Sequence, residues 1–170
     1  MPAAIIAYLA GPDVFAPDAP QRFARMQAVC VKHGITPLTP VDTAPPQHLR
    51  GAELAAFIRL ANCDLIRRAD CVIANISPFR GPSMDPGTAY EIGFAEALGK
   101  PVYLWSESTE TLAERTAGLK GDDPVPERDA DGWLIENFGL AENLMICAGG
   151  KPVAGDFEAA ALAGKGNGAG

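Results

Sequence analysis

The stretch Asp70-Cys-Val-Ile-Ala-Asn-Ile-Ser-Pro-Phe-Arg-Gly-Pro-Ser-Met-Asp-Pro-Gly-Thr-Ala-Tyr-Glu-Ile-Gly-Phe-Ala95 decides how this chain folds and where its chemistry gathers. Cys71 to Ile76 is a short, mostly apolar run, the pattern of a parallel strand covered on both faces. Thr88 to Gly99 has helical spacing, with Glu91 expected in the first turn. Between them lies an eleven-residue connection, Ser77 to Gly87, rich in Gly and Pro. Strand-to-helix connections usually take about 2–6 residues, and longer ones tend to carry function. Across this junction stand two carboxylates six residues apart, Asp85 and Glu91. A nucleophilic carboxylate with a second acid nearby is what breaking a glycosidic bond requires.

On either side of this stretch, strand and helix patterns alternate, which argues for a parallel sheet flanked by helices. Ile5 to Leu9 reads as a first strand and Ile35 to Leu38 as a second. Between them a helix opens at Asp18, with Gln21 completing a capping box, and stops at Gly34. A second helix is predicted over 52–68, with Leu54, Phe57, Ile58, Ala61, Leu65 and Ile66 as its apolar stripe. Pro101 to Trp105 gives a fourth strand. Residues 106–132 read as a helical turn and a mobile surface loop, and Leu144 to Cys147 as a fifth strand. A weak amphipathic helix follows near Asp156 to Leu162. The expected architecture is an α/β, flavodoxin-like, doubly wound five-stranded parallel sheet with helices on both faces. One domain spans 1–163, and 164–170 is a flexible Gly/Ala-rich tail. Ligands of such sheets bind beyond the carboxyl ends of the strands, at the switch in strand order. That places the segment from Tyr8 to Phe15 beside the 77–87 loop, and brings Tyr8, Asp70 or its neighbours, Asp85 and Glu91 within reach of one another.

Composition narrows the function. At 170 residues the chain is long enough for a core without staples. A net charge of -7 disfavours a nucleic-acid backbone as partner and suits a small neutral ligand. Cys30, Cys63, Cys71 and Cys147 are scattered without metal-ligand spacing and read as buried thiols. The apolar start lacks a basic flank, so it reads as a strand and not as a signal peptide; a cytoplasmic protein with no membrane partner is expected. No G-x-G-x-x-G or Walker sequence occurs, and His33 and His48 lack a Ser or Cys partner. Neither a metal nor a cofactor is called for.

Each candidate residue also has a plain structural reading. Thr88-x-x-Glu91 is a capping box, so Glu91 could merely cap a helix. Against that, Glu91 falls on the inward stripe with Ala95 and Leu98, where a carboxylate needs a partner or a purpose. The helix start would favour its ionised form. From the pattern alone, cap and nucleophile stay equally open. Asp85, before Pro86, starts a turn or handles a proton at a leaving group. Tyr8 is either core or a phenol that orients Glu91 by a hydrogen bond. Phe79 invites stacking on a planar ring, and the plain reading of Arg80 is a clamp on the loop.

These residues resemble the nucleoside 2-deoxyribosyltransferase family. The resemblance runs from Ala7-Tyr-Leu-Ala-Gly-Pro-Asp-Val-Phe15, through Ala69-Asp70, Ala74 to Gly81 and Asp85 to Gly93, to Phe138-Gly-Leu-Ala-Glu-Asn-Leu-Met145. It implies transfer of 2-deoxyribose between nucleobases, with Glu91 as nucleophile, Asp85 handling the base, Asp70 binding the base and Tyr8 holding the nucleophile. Phe15, Asn75, Phe79, Arg80 and Gly87 lie in the matched segments and are expected to contact substrate. Asn143 and Met145 would reach a neighbouring subunit's site, which implies a homo-oligomer, built from dimers and up to a hexamer. Its partners are deoxynucleosides and free bases. Two rival readings stand beside it. One is a hydrolase of deoxynucleosides or their 5′-monophosphates using the same glutamate; Asp13, where a phosphate would sit, argues against the monophosphates. The other is a non-catalytic nucleoside sensor.

Overall fold

The computed structural model describes residues 4–119, 123–148 and 152–167. Five parallel strands form one sheet in the order β2-β1-β3-β4-β5, the flavodoxin-like order expected from the alternation. The strands are β1 (Ile5–Ala10), β2 (Ile35–Leu38), β3 (Cys71–Asn75), β4 (Val102–Trp105) and β5 (Val153–Ala154). The helices are α1 (Ala19–Lys32), α2 (Gly51–Arg68), α3 (Pro86–Ala97), α4 (Leu112–Ala117), α5 (Leu144–Cys147) and α6 (Phe157–Asn167), with a 3-10 turn at Pro12–Phe15.

Because strand side chains alternate, each strand feeds two cores. Tyr8, Ala10, Val72, Ala74 and Leu104 face α2, α3 and α5, where they meet Leu65, Ile66, Ile92 and Ile146. Ala7, Leu9, Cys71, Ile73 and Trp105 face α1 and α6, against Phe23, Met26, Cys30, Phe157 and Ala160. Ile66 and Ile92 are fully buried, and each such side chain contributes roughly 1.5–3 kcal/mol. All four cysteines are buried and unpaired, and burial pushes the Cys30 thiol up to about 11 and that of Cys71 to about 12. Such thiols are inert. No helix among the described residues is long and apolar enough to cross a membrane.

Four local expectations change. Leu144–Cys147 is a turn of helix, not a strand: Asn143 Oδ1 caps it by accepting from the Met145 amide at 3.0 Å. The fifth strand is instead the two-residue Val153–Ala154, which pairs with Leu104 and Trp105. The Asp18–Gln21 capping box is absent, because Arg22 and Arg25 take the Asp18 carboxylate. Helix α6 continues to Asn167, through the start of the expected tail; Gly164 packs where a Cβ would stand 3.3 Å from the Tyr103 ring. Residues 168–170 of that tail, and 120–122 of the expected surface loop, lie outside the described residues.

The stripe on α2 is buried only toward its end. Leu65 and Ile66 are buried and Leu54, Phe57 and Ala61 half-buried, whereas Ile58 is 42 % exposed. An 18-residue helix is about 27 Å long and a five-residue strand about 17 Å, so α2 is longer than the strands it packs against.

Candidate active site

The site forms where β1, α2 and α3 meet. Tyr8 points from β1 toward the helices, and its phenol donates to Glu91 Oε1 at 2.7 Å. Asn62 of α2 donates to the same oxygen from Nδ2 at 3.3 Å. Among the described residues no hydrogen bond is seen to Glu91 Oε2. The carboxylate is thus gripped by one oxygen and presents the other.

Burial is the largest influence on Glu91 and raises its pKa from 4.5 to about 7; the Asp85 charge adds to the rise, and the bonds from Tyr8 and Asn62 oppose it. The expectation that a helix start would favour the ionised form fails for a geometric reason. Helix α3 begins at Pro86, so Glu91 stands in the second turn, beyond the reach of the terminal dipole. Burial, followed by the nearby Glu91 charge, raises the Tyr8 pKa, so the phenol keeps its proton and remains a donor.

The cap of α3 is Asp85, not the Thr88–Glu91 box. Asp85 Oδ2 accepts from the Thr88 amide at 2.8 Å and the Thr88 hydroxyl at 2.9 Å. A Cβ at Gly87 would approach that oxygen to 3.0 Å, so glycine there leaves room for the capping carboxylate. Glu91 is therefore released from capping, and Asp85 caps with one oxygen.

The remaining expected residues divide. Asp70 does not join this corner. It stands at the amino end of β3, where Oδ2 accepts from the Ile6 amide at 2.8 Å, while the 77–87 loop leaves the carboxyl end. Asn75 is 3 % exposed and occupied: Nδ2 donates to Asp13 at 2.9 Å, and Oδ1 accepts from the Ser77 amide at 3.0 Å. Asp13 is turned inward and also paired with Arg22 at 3.2 Å, so its charge does not stand open against a phosphate. Gly11 makes this packing possible, since a Cβ would come within 2.8 Å of Asn75 and closer still to Asp13.

Phe15 and Phe79 stack at 5.4 Å, and the Arg80 guanidinium covers both rings. Arg80 adopts the left-handed backbone region, with φ of 56°, to do so. The two loops at the carboxyl edge are thereby joined by one aromatic–cation stack. Asn143 is occupied on both side-chain atoms, Oδ1 accepting from the Met145 amide and Nδ2 donating to Glu136 at 2.8 Å, and Met145 projects into solvent at 76 % exposure. On the opposite face, an open concavity of about 370 Å³ between α1 and α6 holds none of the residues expected from the sequence.

Two participants were not anticipated. Asn62 interrupts the α2 stripe between Ile58 and Ile66, and a polar residue in an apolar stripe was the available signal. Its Oδ1 is buried without a partner among the described residues. Glu142, 2 % exposed, lies inside an apolar segment and gave the same signal.

Comparison with known proteins agrees with this fold. The family model for nucleoside 2-deoxyribosyltransferase matches residues 7–145. The structure of a 2-deoxyribosyltransferase from Leishmania mexicana superimposes with a TM-score of 0.77 at 36 % identity, covering 96 % of this chain and 98 % of that one. A 2-deoxyribosyltransferase from Bacillus psychrosaccharolyticus gives a TM-score of 0.53 at 26 % identity, over 65 % of this chain and 81 % of its own. An uncharacterised protein of Schizosaccharomyces pombe is 32 % identical over 154 residues, 81 % of this chain and 73 % of that protein. The chain belongs to the nucleoside 2-deoxyribosyltransferase family and is an enzyme.

Proposed function

We propose that this enzyme transfers 2-deoxyribose between nucleobases by a retaining double displacement through a deoxyribosyl ester of Glu91. The observation that carries this reading is the one-sided grip on the carboxylate: Tyr8 and Asn62 both hold Oε1, and Oε2 is left to attack. Oε2 forms the bond to the anomeric carbon as the bond from that carbon to the base nitrogen breaks. The electron pair departs with the base, and Asp85 handles the proton the base takes up. In the second half the incoming base attacks the anomeric carbon, and the bond from that carbon to Oε2 breaks with its electron pair returning to the carboxylate. The base's N–H proton leaves by way of Asp85, and Glu91 is restored. Two inversions give net retention, with ping-pong kinetics.

The Phe15–Phe79–Arg80 stack is a platform for the planar base, and Asp13 with Asn75 braces the loop beneath it. The solvent-facing Met145 and its neighbour Asn143 suit a segment lent to an adjacent copy, so the enzyme works as a homo-oligomer with shared sites. The first test mixes the protein with deoxyinosine and adenine and separates the products. New deoxyadenosine is the expected result. Hypoxanthine with free sugar alone would replace transfer with hydrolysis, and an unchanged mixture would leave only binding.

A further inference from the structure

The second half of the 77–87 loop is fastened by a buried ion pair. Glu142 accepts at Oε2 from the Met84 amide at 2.9 Å and from Arg115 at 3.4 Å, and at Oε1 from the Asn143 amide at 3.0 Å. Arg115 donates to the Pro82 carbonyl and the Ala141 carbonyl, each at 2.7 Å, and also to the Glu110 carbonyl. Their side chains are 6 % and 2 % exposed. Three separate stretches, 82–84, 110–115 and 141–143, therefore converge on two side chains.

A buried ion pair is a poor device for stability alone, because apolar residues of the same volume often do as well or better. What it supplies here is geometry. Met84 immediately precedes Asp85, and rotation of the Met84 peptide would swing the Asp85 side chain. The Asp85 carboxylate has one oxygen committed to Thr88, so its other oxygen is aimed only as well as the backbone before it is fixed. The first half of the loop has its own ties, from Asn75 to Ser77 and from Phe15 to Phe79.

We propose that Glu142, braced by Arg115, is a positioning residue that holds Asp85 at the angle needed to handle the proton of the leaving base. This rests on the reading of Asp85 given above, and the test separates the two. The first half-reaction is measured alone, as single-turnover release of the leaving group with enzyme in excess and no acceptor base. The donors are deoxyinosine, whose base needs a proton, and 4-nitrophenyl 2-deoxy-β-ribofuranoside, whose leaving group needs none. Asp85→Asn is expected to slow release from deoxyinosine and spare the nitrophenyl donor. Glu142→Gln is expected to share that pattern: the release rate for deoxyinosine falls about 10- to 100-fold, while its half-saturating concentration and the nitrophenyl release rate change less than about twofold.

Equal losses on both donors, or no loss on either, would make Glu142 structural and overturn the proposal. If Asp85→Asn shows the donor dependence and Glu142→Gln does not, only the positioning claim falls. If Asp85→Asn shows none, the reading of Asp85 falls and takes this proposal with it. Should Glu142→Gln melt before assay, Glu142→Asp keeps the charge for Arg115 while drawing the oxygens back from Met84, and the same split decides.

Discussion

Asp13 and Glu91 are acids withdrawn from water on opposite faces of one sheet, and they are treated in opposite ways. Asp13 is met by the Arg22 guanidinium on one oxygen and the Asn75 amide on the other, so both its charge and its lone pairs are used. Glu91 is met only by the neutral donors Tyr8 and Asn62, on a single oxygen, with another carboxylate, Asp85, near enough to raise its pKa. Burial with a cation makes a brace. Burial with neutral donors and a like charge makes ionisation costly and leaves one carboxylate oxygen without a hydrogen-bond partner among the described residues.

The widest separation should come from isosteric neutralisation. Glu91→Gln is expected to cut kcat by on the order of 10⁴-fold or more, without a lower unfolding midpoint. Asp13→Asn should cost about 1–3 kcal/mol of stability and leave kcat per folded molecule within about fivefold. Urea titration and transfer kinetics on the two variants read both quantities. Comparable activity losses in the two would erase the distinction between brace and nucleophile.

A thermodynamic consequence follows from the raised pKa of Glu91, from 4.5 to about 7. Below the lower value the carboxyl is protonated both folded and unfolded, and contributes no pH dependence. Between the two values the folded protein holds the proton and the unfolded chain does not, so stability falls as pH rises. Above about 7 the full penalty of the buried charge is present. Glu91→Gln should therefore gain on wild type between pH 5 and pH 8, by at most about 3 kcal/mol. A gap between the two proteins that stays constant with pH would show that Glu91 is not destabilised by burial.

The smallest effect is expected at Tyr8. Its bond lowers the Glu91 pKa, so Tyr8→Phe should move the acid limb of kcat/KM upward from about 7. The loss is about tenfold at pH 6 and shrinks by pH 9. An unmoved limb, with activity down equally at every pH, would assign Tyr8 to packing alone.

The sheet was legible because alternation of short apolar runs with helical spacing is a local signal, and it specified a parallel order before any contact was known. Helix α1 stops at its expected glycine for the same reason. Leu144–Cys147 was not legible: four apolar residues fit strand or helix equally, and the Asn143 side chain decided in favour of a turn of helix. Asp70, directly before β3, stands at the amino end of that strand, away from the carboxyl edge where the 77–87 loop leaves, so it does not meet Glu91. The partner of its carboxylate, the Ile6 amide, lies 64 residues away in sequence.

From the chain alone came the five-stranded parallel plan, the long loop between β3 and α3, and the pair Asp85 and Glu91 at its far side. Those are written in spacing, which acts over a few residues. Tertiary packing made Asp85 the cap and released Glu91 from capping, brought Asn62 to Glu91 and Glu142 to Met84, and raised the Glu91 pKa. These depend on burial and on partners as far as 83 residues apart, Tyr8 and Glu91 among them. Desolvation belongs to the packed neighbourhood of an atom, and no run of neighbours along the chain encodes it.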